Sequence, residues 1–148
     1  MEALREPGTI HVKAMCVIAH EGKILATRGF DDVKGEEFFR LIGGGVHVCE
    51  LAADALKREI QEELETELEN IKFLGVEENV FTYLGKPGHE IIFLYSVDMV
   101  RKNLYEKEEI SIADHLETIA VWVSISDVLS GSVRLFPAID YSLYSKVS

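Results

Sequence analysis

Residues 43–66 read GGGVHVCELAADALKREIQEELET, a glycine run followed by a helix crowded with acids. At 100° per residue, Ala53, Leu56, Ile60 and Leu64 fall within one arc of roughly 80°, which predicts the buried stripe. Asp54, Lys57, Gln61 and Glu65 take the far side, as a solvated face should. Glu59, Glu62 and Glu63 project beside the stripe, where like charges one turn apart repel by about 0.2–0.5 kcal/mol per pair. In an acidic chain such a face is ordinarily only solvated. A divalent cation would reverse the sign of that repulsion, because Mg²⁺ prefers carboxylate and carbonyl oxygen. Ala52 and Ala55 are expected on the same side, leaving room above the acids. Arg58 borders the cluster, within reach of Glu62 or Glu50.

Outward from this stretch, Phe38–Ile42 is apolar and predicts a short strand feeding the glycine run. Before it, Gly29–Glu37 is polar and predicts a loop close to a ligand. Thr9–His20 and Lys23–Arg28 are β-rich and flank Glu21-Gly22, so a hairpin is expected. After the helix, Ile71–Leu84 predicts a strand bent near Glu77-Glu78-Asn79. Gly85-Lys86-Pro87-Gly88 is a turn signal, and His89–Val100 returns as the most apolar strand. Arg101–Glu117 is polar and predicts a loop. Ile119–Val123 predicts a strand carrying Trp122, and Ser124 or Ser126 a capped short helix that Gly131 ends. Pro137, at a favoured first helical position, predicts a last helix to about Ser145. Strands and helices interleave around hairpins, so the class is α/β or α+β with a mixed sheet, and the 148 residues are expected to form one domain.

Fifteen basic and 26 acidic residues give a formal net charge of −11. That balance argues against DNA, RNA or an anionic membrane as partner, since each needs basic surface. The two cysteines, Cys16 and Cys49, stand singly without metal-ligand spacing. Cys16 is expected to be buried. The start, MEALREPGTI, lacks the apolar core of a signal peptide, and a cytoplasmic location is expected.

Gly44, Glu50 and the run Arg58-Glu59-Ile60-Gln61-Glu62-Glu63 resemble the Nudix hydrolase box, in both identity and spacing. The segments FFRLIGGGV, LGVEENVFTYLGKPGHEIIFLY and AVWVSISDVL are similar to the family's lead-in strand, hairpin and tryptophan strand. The resemblance implies a mixed β-sheet between helices, with the box as a loop–helix–loop. It implies cleavage of a nucleoside diphosphate linked to another moiety, using Mg²⁺ or Mn²⁺. Glu59, Glu62 and Glu63 would hold the metal, aided by a backbone carbonyl at Gly43 or Gly44, and Arg58 would pair with Glu50. A further carboxylate often acts as base in the family; Glu117, Glu106, Glu108 and Glu109 are candidates.

Departures fall around this core. Ile42 stands for proline, His47 for glutamate, Cys49 for glycine, Leu51 for a Ser or Thr cap, and Thr66 for an aliphatic residue. Glu65 replaces the glycine that usually ends the helix, so the helix is expected to run further. Arg28 and Arg40 flank the expected cleft and could bind phosphate, or be surface charges. Tyr83 stands near where dinucleoside polyphosphate hydrolases of the family carry a tyrosine, although a strand tyrosine is commonly packing. The expected partner is a small nucleotide, with the chain a monomer or homodimer. The competing expectation is a Nudix-fold sensor that binds a nucleotide without cleaving it.

Overall fold

A computed structural model describes residues 8–113 and 115–144. Strands β1 (Ile10–Val17), β2 (Ala19–His20), β3 (Lys23–Asp31) and β4 (Glu36–Gly45) precede helix α1 (Ala52–Leu64). Then follow β5 (Leu68–Tyr83), β6 (Lys86–Met99), β7 (Glu109–Ile112), β8 (His115–Ser124), α2 (Ile125–Ser130) and β9 (Leu135–Phe136). The sheet runs β5-β6-β1-β4-β3-β8-β7 and is mixed: β1 lies parallel to β6 and β4 parallel to β9, the other pairs antiparallel. The α+β class with a mixed sheet agrees with the sequence, and the described residues hold two α-helices where three helices were expected.

Strand β4 joins two halves. Its residues 42–45 pair with β1, and its residues 36–41 pair with β3. One core, with Ala14, Cys16, Ile18 and Ile42, lies against Ala55, Leu56, Ile60 and Leu64 of α1. The other, with Met15, Val17, Ile92 and Leu94, meets Ala26, Phe39, Leu41 and Val123 across the fold in the sheet. Period-two alternation along β1 therefore sends even residues to the helix and odd residues to the second core. Cys16 is buried as expected, its Sγ 3.6 Å from the Ile42 carbonyl, and burial pushes its thiol pKa up.

Several boundaries differ from the sequence reading. The loop expected over Gly29–Glu37 shrinks to residues 32–35, because β3 and β4 extend to Asp31 and Glu36. Asp31 supplies the reason. Its Oδ1 accepts from the N–H groups of Val33 and Lys34 at 2.9 and 3.1 Å, an Asx-type turn that polarity alone does not reveal. Its Oδ2 accepts from Leu84 N–H at 3.1 Å, tying this tip to the β5–β6 hairpin. That hairpin turns at Leu84-Gly85, both at positive φ, rather than at residues 85–88. The irregularities of β5 sit between Glu69 and Gly75, upstream of the bend expected at residues 77–79.

The stretch Arg101–Glu117 contains a 3-10 turn (Lys102–Glu106), all of β7 and the start of β8. Ile110 and Ile112 are buried, and alternation over four residues was too short to stand out amid the charges. No α-helix opens at Pro137. It follows a cis peptide bond after Phe136, and only a 3-10 turn at Tyr141–Tyr144 follows among the described residues. The Ser145 end of that expectation lies outside the described residues.

Candidate active site

Arg58 is the hub of the site. Its Nε donates to Glu50 Oε2 at 2.8 Å and its Nη2 to Glu50 Oε1 at 3.0 Å. Nη2 also donates to the Gly45 carbonyl at 2.9 Å, and Nη1 to Glu59 Oε2 at 2.8 Å and Glu62 Oε1 at 3.3 Å. One planar fork thus fixes the glycine strand, the loop and the helix face together. Hydrogen bonds from Arg58, helped by one from His47 N–H, hold the Glu50 carboxyl down at about 2. Glu50 and its hydrogen bonds in turn push the Arg58 pKa up.

Gly44 lies under Glu59. A β-carbon there would run into the Glu59 Cδ, Oε1 and Cγ atoms, so the carboxylate reaches this strand only because residue 44 has no side chain. The two oxygens of Glu59 are thereby divided, Oε2 on Arg58 and Oε1 over Gly44. Gly43, at φ +156, has a different constraint: a β-carbon would meet the Ala14 carbonyl and the Met15 backbone.

A cleft opens here, lined by Glu59, Glu63 and Gly44 on the helix side and by Arg28, Arg40 and Phe38 on the strands. The structure brings Glu59 and Glu63 together in it. Glu62 remains on the margin, half-exposed, in its longer contact to Arg58. Among the described residues no three His, Cys, Asp or Glu side chains gather closely enough to form a ready metal cluster. The donor set still suits Mg²⁺, which is held by one or two carboxylates and completes its shell with water and phosphate oxygen. Ala55, expected to leave room above the acids, instead packs into the core at 0% exposure.

The cations sort differently from one another. Arg28 lines the cleft and makes a loose 3.5 Å contact to exposed Glu37. Arg40 also lines it, but its Nη2 donates at 2.7 Å to the fully buried Glu90, bridging the two halves of the sheet. Tyr83 does not line the cleft; it meets Phe38 edge-on at 5.5 Å between ring centroids, and Phe38 does line it. Glu106, Glu108, Glu109 and Glu117 are exposed and outside the lining.

Sequence reasoning missed Lys13. This lysine lies on β1 at 5% exposure and lines the same cleft. Its signal was its placement: a charged residue at an odd position of β1, among Met15 and Val17 that face inward.

The chain matches the NUDIX domain model over residues 9–145. It belongs to the NUDIX family, whose hydrolases act on pyrophosphate bonds. No curated protein sequence matches it. Among solved structures, a NUDIX hydrolase from Nitrosomonas europaea is similar at TM-score 0.57 and 19% identity, over 89% of this chain and 82% of that one. A MutT NUDIX hydrolase from Burkholderia pseudomallei is similar at TM-score 0.53 and 22% identity, covering 80% of this chain and 85% of that one. These likenesses concern the fold.

Against the NUDIX box, Glu65 corrects an expectation. The helix does not run on; it ends at Leu64, and Glu65 itself adopts the left-handed conformation at φ 55, its N–H bonded to the Gln61 carbonyl. The missing cap at Leu51 agrees with the sequence, since no side chain caps α1. Cys49 also sits at positive φ, 68, where the box usually has glycine, so both departures keep the backbone geometry without the glycine.

Proposed function

We propose that the protein is a divalent-metal-dependent pyrophosphohydrolase acting on a nucleoside diphosphate linked to another moiety: a nucleoside triphosphate, a dinucleoside polyphosphate or a nucleotide sugar. One observation carries the reading. Two carboxylates from α1, Glu59 and Glu63, share a single cleft with Lys13, Arg28 and Arg40. Hydrolysis of a phosphoanhydride asks for a place where phosphate charge is neutralised and water is oriented. In a chain of net charge −11, an anionic substrate needs that local cationic wall to be drawn in at all.

Glu59 and Glu63, joined by Glu62 from the margin and a carbonyl at Gly44, would hold Mg²⁺ or Mn²⁺. A bound ion of this kind neutralises phosphate oxygens and lowers the pKa of its water. The chain's own residues do the rest. Arg28 and Lys13 donate to phosphate, Arg40 braces the cleft through Glu90, and Arg58 keeps Glu50, Gly45 and Glu59 in register. Met15, Phe38 and Leu41 supply the apolar part of the lining.

A second reading, a nucleotide sensor without turnover, draws on Arg58, which already engages Glu59 and Glu62 as a cation would. A panel of nucleoside triphosphates, dinucleoside polyphosphates and nucleotide sugars, incubated with Mg²⁺ or Mn²⁺ and assayed for phosphoanhydride cleavage, separates the two. Turnover of one class supports the hydrolase. Tight binding of one compound with no cleavage of any supports the sensor.

A further inference from the structure

Asn70 and Asn103 are exposed, and each has a side-chain partner. Asn70 Nδ2 donates to Asp98 Oδ2 at 2.8 Å, and Asn103 Oδ1 accepts from Arg101 Nε at 3.2 Å. Asn79, on β5, is the opposite case. It is 8% exposed, and among the described residues no hydrogen bond reaches its side-chain amide. A primary amide carries two donors and an acceptor, and burying it with none of them used is costly. Native proteins leave few such groups, and each asks for a water, an ion or a ligand.

The register fixes where this amide points. Asn79, Glu90 and His11 form one row across β5, β6 and β1, and Glu77, Ile92 and Lys13 form the next. Alternate residues of a strand share a face, so Phe81, Asn79, Lys13 and Met15 project from the same side of the sheet. Lys13 and Met15 line the cleft, so Asn79 stands on an extension of the cleft's own wall, two strands outward. Arg40 closes the gap between them. It lines the cleft from β4 and donates to Glu90, the neighbour of Asn79, at 2.7 Å. Its guanidinium carbon lies 6 Å or less from the centre of the Phe81 ring, at 5.9 Å. A β-carbon at Gly88 would run into that ring, so Phe81 reaches across β6 only because the position is bare.

We propose that Asn79 reads the base of the nucleotide whose phosphates lie against Lys13 and Arg28, which rests on the cleft taking a nucleotide. Strands stand about 4.8 Å apart, so β5 is about 10 Å along the wall from β1, a gap that a ribose and its 5′-phosphate cross. An amide meets a base edge on which a donor and an acceptor adjoin, as the N6 amino group and N7 of adenine do. Ribose phosphate alone leaves the amide unpaired. A site with a buried polar group rejects the ligand that lacks its partner, and this is the selection Asn79 supplies.

NMR titration of the full isotope-labelled chain, with Mg²⁺ present, tests the proposal. The ligands are AMP, GMP, CMP and UMP, compared with ribose 5-phosphate; none holds a phosphoanhydride bond, so the result is independent of turnover. The side-chain amide resonance of Asn79 is assigned by its loss in Asn79→Leu. It should shift with the tightest-binding monophosphate and stay in place with ribose 5-phosphate. Asn79→Leu should bind that monophosphate about tenfold more weakly, the effect of losing a buried hydrogen bond, and bind ribose 5-phosphate as wild type does. Asn79→Asp keeps the shape, removes the donors and covers the case in which Asn79→Leu fails to fold. Equal weakening of both ligands would make Asn79 merely structural and overturn the proposal. A monophosphate that binds with the Asn79 amide unmoved, and equally tightly to the folded variant, overturns it and leaves the nucleotide reading standing. If no monophosphate binds more tightly than ribose 5-phosphate, both fall.

Discussion

Arg58 grips Glu50 at two points, 2.8 and 3.0 Å, across the loop that joins β4 to α1. Because the Glu50 carboxyl is lowered in the folded chain, folding favours its ionised form. Its contribution is present in full above the ordinary value near 4.5 and is lost as pH falls towards about 2. Thermal melts of wild type between pH 5 and pH 2 should therefore fall more steeply than those of Glu50→Gln. Parallel curves would mean that the pair contributes nothing to the pH dependence.

Gly43 and Gly44 are adjacent, yet their alanine variants should fail differently. In Gly43→Ala the new methyl meets backbone, which cannot yield, so stability should drop by about 2 kcal/mol or more. In Gly44→Ala it meets the end of the Glu59 side chain, which can swing away. Folding should then be nearly intact while kcat/KM falls about 100-fold, the effect of a reacting group misplaced by about 1 Å. Urea denaturation beside initial rates distinguishes the two, and equal losses in both measures for both variants would contradict this division.

Lys13→Met keeps the bulk of the buried stem and removes the ammonium. If Lys13 holds substrate phosphate, KM should rise about 10-fold or more, the effect of losing a charged hydrogen bond. Steady-state kinetics on the best substrate of the panel reads this out, and an unchanged KM with lost stability would assign Lys13 to structure alone.

Glu65→Gly should stabilise the protein. A non-glycine residue pays roughly 1–2 kcal/mol in the left-handed region, and glycine returns about 0.4–1 kcal/mol of that through its freer unfolded state. The net gain should be about 0.5–1 kcal/mol by chemical denaturation. A loss would show that the Glu65 side chain holds the helix end by other means.

The same residue shows where sequence reading stops. Helical periodicity located Leu56, Ile60 and Leu64 in the core, and the glycines and acids pointed to the cleft that Gly44, Glu59 and Glu63 line. Periodicity could not say that Glu65 would leave the helix, because its charge suited the solvated face equally well. Backbone exceptions were hidden for the same reason: Leu84 at positive φ and the cis bond before Pro137 carry no distinctive side-chain pattern. The Arg40–Glu90 pair was illegible because it depends on the two halves of the sheet meeting at β4, which joins residues distant in sequence.

The most direct test is Glu63→Gln, which removes one charge from the cleft with little change of shape. Initial rates and melting temperatures should be measured for wild type and variant side by side, with and without Mg²⁺. If Glu63 binds metal, the variant should lose orders of magnitude in turnover, since displaced charge stabilisation is worth several kcal/mol. Its Mg²⁺-induced stabilisation should shrink as the metal's Kd rises. Without metal it should melt level with wild type or slightly higher, through relief of repulsion with Glu59. Equal metal-induced shifts, with rates within a few-fold of each other, would contradict the account.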